Sequence, residues 1–161
     1  MTDTSRQSVT IREVMPDEAA ILSSLALRSK AHWGYSAEFI RSCEDELTFL
    51  PDQIASDNFD FVVAESRSAI IGFYAINNLS NDLFELYALF VEPPHIGSGV
   101  GRQLIDHAIQ SVKNNGGQAL QIQGDPHAEK FYLAAGAEFI GTRESGSVRG
   151  RFLPLFEIKI R

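Results

Sequence analysis

The chain has 161 residues, of which 44% are hydrophobic and 22% charged, as is typical of one globular domain. Its net charge of −7 argues against a nucleic-acid-binding protein, which would present a basic surface. A single cysteine, Cys43, excludes an internal disulfide and a cysteine-rich zinc site. The sequence shows neither a signal peptide nor an apolar run long enough to span a membrane, so we expect a cytoplasmic protein with no membrane partner.

The first third of the chain predicts one strand and two helices. Apolar and polar residues alternate over Val9–Val14, as in a half-buried strand. Pro16 and Asp17 open a helix that runs to about Arg28. Ser36 is suited to cap a second helix, from about Ala37 to Leu50, which Pro51 ends. The polar residues 1–8 before these elements are expected to be flexible.

The remainder predicts strands and two further helices. One helix runs from Gly99 to about Asn115, and another follows Asp125, with Pro126 at its first position and Gly136 at its end. β-branched and aromatic residues predict strands at Phe59–Ser66, Ser68–Leu79, Leu83–Glu92, Ala119–Gln123, 138–142 and 151–160. The order β-α-α-β-β-β-α-β-α-β-β predicts a single α/β domain over residues 1–161.

Three alternating glycines, Gly97, Gly99 and Gly101, lie between a predicted strand and a predicted helix, in "VEPPHIGSGVGRQLI". Glycines at this place let the backbone approach an anion, which the free amides of the helix start then bind. A P-loop would need Gly-Lys-Ser/Thr, which is absent, and a Rossmann fingerprint would need the third glycine one position later. A tight turn without a ligand is the structural alternative.

Two motifs resemble those of the GNAT superfamily, the Gcn5-related N-acetyltransferases. The run from Ile96 to Gly101 is similar to its motif Q/R-x-x-G-x-G/A, with Ile96 in place of Gln or Arg. The run from Asp125 to Ala137 is similar to its motif N-x-x-A-x-x-F-Y…G-F, with Asp125 for Asn and Ala137 for Phe. The segments "RSKAHWGYS" and "SGSVRGRFLPLFE" are similar to those of a bacterial subgroup of the same superfamily.

The resemblance implies a fold and a co-substrate. The fold is one mixed, mostly antiparallel sheet of six to seven strands, splayed between the fourth and fifth strands and flanked by about four helices. Acetyl-CoA would be the acyl donor, with its pantetheine arm in the splay and its pyrophosphate on the glycine-loop amides. The implied contacts are Leu89, Phe90, Val91, Ile96, Gly97, Ser98, Gly99, Val100, Gly101, Arg102, Asp125 and Tyr132.

Transfer of the acetyl group to an amine needs a proton acceptor and a proton donor. Tyr132 matches the tyrosine that many members of the superfamily use as the acid for the leaving thiolate, although a packed ring is the structural alternative. Glu85 lies eleven residues before Ile96, where some members carry a glutamate as the general base. A water chain is the competing base, and a Glu85 that faces water is the structural alternative.

The resemblance places the acceptor site at the junction of the first two helices. Here that junction contains His32, Trp33 and Tyr35, which with Glu85 are the candidate substrate-binding residues. A helix–helix corner pinned by Trp33 is the structural alternative. In the late segment "RESGSVRGRFLPL", an arginine (Arg143, Arg149 or Arg151) is a candidate partner for an acceptor carboxylate, although surface arginines are common.

The sequence therefore predicts an N-acetyltransferase that moves an acetyl group directly from acetyl-CoA to a primary amine of a small molecule or peptide. The alternative is an acyl-CoA-binding sensor that has the fold and no turnover. The four histidines show no metal-binding spacing, so no metal is expected. The sequence is compatible with a homodimer and names neither the acceptor nor the preferred acyl chain.

Overall fold

Seven strands form one sheet in the computed structural model, which describes residues 8–146 and 148–161. The strands are β1 (Thr10–Glu13), β2 (Phe59–Ser66), β3 (Ala69–Asn78), β4 (Leu83–Val91), β5 (Ala119–Gln123), β6 (Glu138–Glu144) and β7 (Phe152–Lys159). The α-helices are α1 (Ala19–Ala31), α2 (Ala37–Ser42), α3 (Pro51–Ile54), α4 (Val100–Asn114) and α5 (Glu129–Ala134). Short 3₁₀ turns at Pro16–Glu18, Pro93–His95 and Pro126–Ala128 precede α1, the glycine loop and α5.

The sheet has the spatial order β1-β2-β3-β4-β5-β7-β6. All neighbouring strands are antiparallel except β4 and β5, which run parallel because α4 connects them. The predicted fold class is therefore confirmed: a mixed, mostly antiparallel sheet with seven strands.

The sheet opens between β4 and β5. These strands pair over only four positions, from Leu83 opposite Ala119 to Leu86 opposite Ile122, whereas β4 continues to Val91. The register of β4 against β3 shifts by one residue between Leu86 and Ala88, which leaves Tyr87 as the extra residue of a bulge. We call the space beyond Leu86 and Ile122 the cleft.

The two faces of the sheet bury two apolar clusters. The larger cluster lies under α4 and α5 and includes Tyr74, Leu104, Ile105 and Phe156. The smaller lies under α1 and the segment after α2 and includes Leu22, Leu25, Phe49 and Phe73. The pattern of α4, with apolar residues at intervals of three and four, places its buried side toward the sheet. Strand β4 contributes side chains to both clusters.

The prediction of one helix from Ala37 to Leu50 is wrong. Ser36 does cap α2, where its side chain accepts from the Phe39 amide at 3.0 Å, but α2 ends at Ser42. The Phe49 amide donates to Ser23 Oγ at 2.8 Å, a bond that an uninterrupted helix would not allow because it would use that amide within the helix. Pro51 begins α3 rather than ending a helix, since its missing N–H costs nothing at a helix start.

The described residues thus contain five α-helices rather than about four. None of the helices in 8–146 and 148–161 is long and apolar enough to cross a membrane. The expected flexibility of residues 1–8 concerns a segment of which 1–7 lie outside the described residues.

Candidate active site

A cavity of about 600 Å³ occupies the cleft and extends under α1. One wall is β4 from Glu85 to Val91, and the opposite wall contains Gln123 and Tyr132. Gly97, Gly99, Gly101 and Arg102 line one end. The other end is lined by side chains of α1, of the segment after α2 and of the chain entering β7: Ser29, Lys30, Trp33, Cys43, Glu46, Leu47, Phe49, Ser145, Arg151 and Leu153.

The glycine loop presents backbone amides to the cleft. Gly97 and Gly99 have φ values of +86° and +96°, a region that other residues enter only with strain, and a Cβ at either would meet only open space. Gly101 is needed for another reason: a Cβ there would lie 3.1 Å from the Phe131 ring. Gly99 is the N-cap of α4, and the first amides of a helix have no acceptor within it. This end of the cleft is therefore suited to an anion.

Tyr132 lies at the base of the cleft with 7% of its surface exposed. Its ring contacts Phe131 and Phe156, and the absence of a side chain at Gly124 makes room for it, since a Cβ there would lie 3.2 Å from the ring. Burial, followed by the charge of Asp125, raises the pKa of Tyr132 well above its ordinary value. The hydroxyl is therefore protonated at neutral pH and can donate a hydrogen bond to a thiolate.

Glu85 lies on the cleft side of β4, at the last stretch of its pairing with β5. Arg143 of β6 reaches past β7 and β5. Its Nη1 donates to Glu85 Oε2 at 3.1 Å, and its Nη2 donates to Gln121 Oε1 of β5 at 3.3 Å. The Glu85 side chain is 19% exposed. The carboxylate therefore has a cationic partner and an open side toward the cavity.

The segment between α1 and α2 forms a wall of aromatic rings. Trp33 lines the cavity and stacks on His127, with ring centroids 5.2 Å apart and planes 9° apart. His32 touches Trp33 edge-on from outside, away from the cavity lining. Tyr35 lies behind the wall, where its ring stacks on Phe39 and its hydroxyl is hydrogen-bonded.

Asp125 holds this wall to the opposite side of the cleft. Its carboxylate accepts from Lys30 Nζ at 2.7 Å, from Tyr35 Oη at 2.9 Å and from the His127 amide at 2.9 Å. His127 Nδ1 lies 2.8 Å from the same carboxylate. Burial alone would raise the pKa of Asp125, but the bonds from Lys30 and His127 outweigh it and hold the pKa well below its ordinary value. Asp125 is thus ionised and joins α1 to the start of α5.

Most of the residues predicted from the sequence line this one cavity. Leu89, Phe90, Val91, Ile96, Gly97, Gly99, Gly101, Arg102, Asp125, Tyr132, Trp33 and Glu85 all do. The Val100 side chain is instead buried in the core, and Ser98 Oγ donates to the His95 carbonyl at 2.5 Å. Arg102 pairs with Asp106 at 3.1 Å and donates to the Ala134 carbonyl at 3.2 Å.

Sequence reasoning missed Lys30 and His127. Lys30 lies in the same segment as the aromatic candidates Trp33 and Tyr35, and only the fold shows that its amine reaches Asp125, 95 positions away. His127 follows the cap residue Asp125 by two positions, and a ring there returns to the cap carboxylate. Neither residue has a local sequence pattern that would indicate a contact with the Asp125 side chain.

The fold is that of solved N-acetyltransferases. The chain superimposes on the PaiA N-acetyltransferase of Thermoplasma acidophilum in complex with coenzyme A with a TM-score of 0.78, at 22% identity over 94% of this chain and 99% of that one. An aminoglycoside 6'-N-acetyltransferase complexed with coenzyme A gives a TM-score of 0.71, at 18% identity over 94% of this chain and 97% of that one. These likenesses define the class of fold.

The Acetyltransferase (GNAT) domain model matches residues 16–150, so the chain belongs to the GNAT family of acyltransferases. It is 26% identical to an uncharacterized N-acetyltransferase of Methanocaldococcus jannaschii, over 82% of this chain. The chain spans 62% of the length of that curated relative. The resemblance inferred from the two motifs is therefore confirmed at the level of the family.

Proposed function

We propose that the protein is an N-acetyltransferase that moves the acetyl group of acetyl-CoA directly to a primary amine of a small molecule or peptide. The observation that carries the proposal is the cleft, which joins an anion-binding loop, a stretch of β4 that pairs with β3 but not with β5, and a protonated tyrosine in one cavity. Two of the structural neighbours are complexes with coenzyme A. We propose that residues 1–161 act as one domain in the cytoplasm.

Different residues of the cavity have separate roles in the proposed reaction. The backbone of Leu89 to Val91, beyond the end of pairing with β5, offers hydrogen bonds to the amide groups of pantetheine, and the glycine-loop amides bind the pyrophosphate. Glu85, directly or through water, takes the proton of the attacking amine. The amine nitrogen bonds to the thioester carbon, the C–S bond breaks, and Tyr132 donates its proton to the departing thiolate.

Direct transfer is proposed because the one thiol of the chain is poorly placed as a nucleophile. Cys43 is 3% exposed and packs in the smaller apolar core beside the cavity. With so little of its surface exposed, the thiol offers poor access to a thioester carbon.

Substitution of Tyr132 by Phe tests the proposal. We expect turnover to fall by about a hundredfold or more, the range for loss of a general acid, while acetyl-CoA still binds. Glu85→Gln should also lower turnover unless water alone is the base. The measurement is thiol release with a panel of amines, together with acetyl-CoA binding by calorimetry.

Tyr74→Phe is the matched control for removal of a buried hydroxyl. Tyr74 is fully buried on β3 and its hydroxyl lies 2.8 Å from His107 Nδ1, outside the cavity lining. Its loss should lower stability without changing turnover. Full activity in Tyr132→Phe would show that the acid is assigned to the wrong residue.

The second candidate is an acyl-CoA-binding sensor without turnover. It is favoured by Ile96, which replaces the polar residue of the motif, and by Asp125, whose carboxylate is occupied by Lys30, Tyr35 and His127. Binding of acetyl-CoA with no thiol release from any amine would establish this candidate and reject the enzyme.

A further inference from the structure

The three arginines between the end of β6 and the start of β7, Arg143 within β6 included, have three different environments. Arg143 is paired with Glu85. Arg149 lies exposed in the turn. Arg151 lines the cavity, with 21% of its side chain exposed. Of these three arginines, only Arg151 presents its charge to the cavity without being paired with Glu85.

The guanidinium of Arg151 is held in place by an aromatic platform. It lies 4.8 Å from the centre of the Phe39 ring and 5.4 Å from that of Tyr35. Its Nη2 donates to Tyr35 Oη at 2.9 Å. Among the residues that the structure describes, no acceptor is bonded to Nε or Nη1. A fixed guanidinium with unused donors is suited to a carboxylate or phosphate, which it binds with two parallel hydrogen bonds.

Within ion-pair distance, Arg151 and Lys30 share one carboxylate, that of Asp125. Asp125 is the nearest carboxylate, 3.8 Å away, and Lys30 already binds it at 2.7 Å. Lys30 and Asp125 are both largely buried, with 14% and 17% of their side chains exposed. Glu46 also lines this end but forms no ion pair with Arg151 within the described part of the chain. Within the described part of the chain, Arg151 thus has no carboxylate in ion-pair distance that Lys30 does not already bind.

We propose that the acceptor amine carries an oxyanion, as an amino acid does, and that Arg151 binds this group. The inference rests on the proposed function and names its substrate class. A cation that is partly shielded from water interacts strongly with an incoming anion. Glu85 lies in the same cavity, so the pocket offers a cation for the oxyanion and a carboxylate for the amine of such a substrate.

Matched acceptors test this proposal. The twenty common L-amino acids, their carboxamides, simple alkylamines and aminoalkylphosphonates are assayed for thiol release from acetyl-CoA. We expect at least one amino acid or aminophosphonate to exceed its uncharged counterpart in kcat/KM by about tenfold to a hundredfold, the range for a charge-assisted hydrogen bond. Comparison of the amino acids with the aminoalkylphosphonates shows whether the bound oxyanion is a carboxylate or a phosphonate.

Arg151→Gln should bring the ratio of kcat/KM for the acid to that for its amide close to one, by raising KM for the acid. Arg151→Lys should keep part of the preference for the acid over its amide. Lysine retains the positive charge but lacks the planar guanidinium that forms two parallel hydrogen bonds. Arg149→Gln, which removes the same charge two positions away in the exposed turn, should leave the ratio unchanged. Retained binding of acetyl-CoA by each variant shows that it is folded.

Each of the other possible outcomes contradicts one specific part of the proposal. Equal rates with acids and amides, or a preference for alkylamines, would reject the oxyanion and leave the acetyltransferase standing. A preference that survives in Arg151→Gln would reject Arg151 as its source. No turnover with any amine, despite binding of acetyl-CoA, would reject the proposed enzyme and this inference with it.

Discussion

Asp125 shows how one carboxylate holds together parts of the chain that are far apart in sequence. It caps the turn before α5, binds Lys30 of α1 and accepts the hydroxyl of Tyr35. The same hydroxyl accepts from Arg151, next to β7. The end of the cavity that is proposed to bind the acceptor is therefore held together by the Asp125 carboxylate.

Asp125→Asn should destabilise the protein, because it leaves the Lys30 ammonium partly buried without a counter-ion. We expect a loss of about 2–3 kcal/mol at neutral pH, somewhat below the range for a fully buried pair. Asn can still cap the turn, so the loss reports the charge. Urea unfolding of the two proteins measures it.

The pH dependence of this loss follows from the lowered pKa of folded Asp125. A carboxyl whose pKa is lower when folded stabilises fully above its unfolded pKa of about 4, and the stabilisation disappears as the pH falls through the folded value. The difference between wild type and Asp125→Asn should thus be constant above about pH 5 and shrink below pH 4. Asp106→Asn, which breaks an exposed pair with Arg102, is the control and should cost little. An equal loss in both variants would contradict the role assigned to Asp125.

For single residues, the sequence predicts contacts between near neighbours in the chain but not contacts between residues far apart in it. The cap at Asp125 was predicted and is present, because a cap depends on residues within three positions. Its bonds to Lys30 and Tyr35 depend on the packing of α1 against the far side of the cleft, which no local pattern encodes.

The element that defines the site is the start of α4, where strand, glycine loop and helix follow one another. Gly99→Asp should abolish the binding of coenzyme A, since it places a side chain and a negative charge beside amides that are suited to an anion. Calorimetry with coenzyme A measures the affinity.

Gly117→Ala is the matched control at the other end of α4. A Cβ there would lie 2.4 Å from Val112 and 2.7 Å from Phe84, so the substitution should destabilise the fold while leaving affinity intact in the protein that remains folded. Unchanged affinity in Gly99→Asp would reject the glycine loop as the anion site.

The strands, the long helices and α5 lie within about three residues of their predicted bounds, whereas α2 and α3 do not. β5 was predicted at Ala119–Gln123 and lies there, and α4 differs by one residue at each end. These elements have strong periodic patterns and clear ends. The region from Cys43 to Phe49 has apolar residues at helical spacing, but they turn into the core, where Ser23 binds the backbone of Phe49. Tertiary contacts there override the local pattern.

At the scale of the whole molecule, the sheet consists of two parts joined by a short parallel ladder. Strands β1 to β4 form one part and β5 to β7 the other, with four paired positions between β4 and β5. The ion pairs Lys30–Asp125 and Arg143–Glu85 also join the two parts. A ligand that fills the cleft would bridge them.

Acetyl-CoA and coenzyme A should therefore raise the melting temperature, and NADPH and ATP should not. Ligand at a hundred times its Kd adds about 2.7 kcal/mol of stability, or about 5–10 °C for a chain of this size. A thermal shift assay with the four compounds side by side measures this. A rise with NADPH or ATP alone would contradict the assignment of the cleft.

The wall of the cavity also contains the chain's only tryptophan. Trp33 is 39% exposed and lies flat against His127, in contact with the space that the acceptor is proposed to enter. All indole fluorescence of the protein therefore originates at this wall. A ligand that displaces water from the ring, or parts it from the imidazole, changes the emission directly, so the unlabelled protein carries its own optical probe for titrating candidate acceptors.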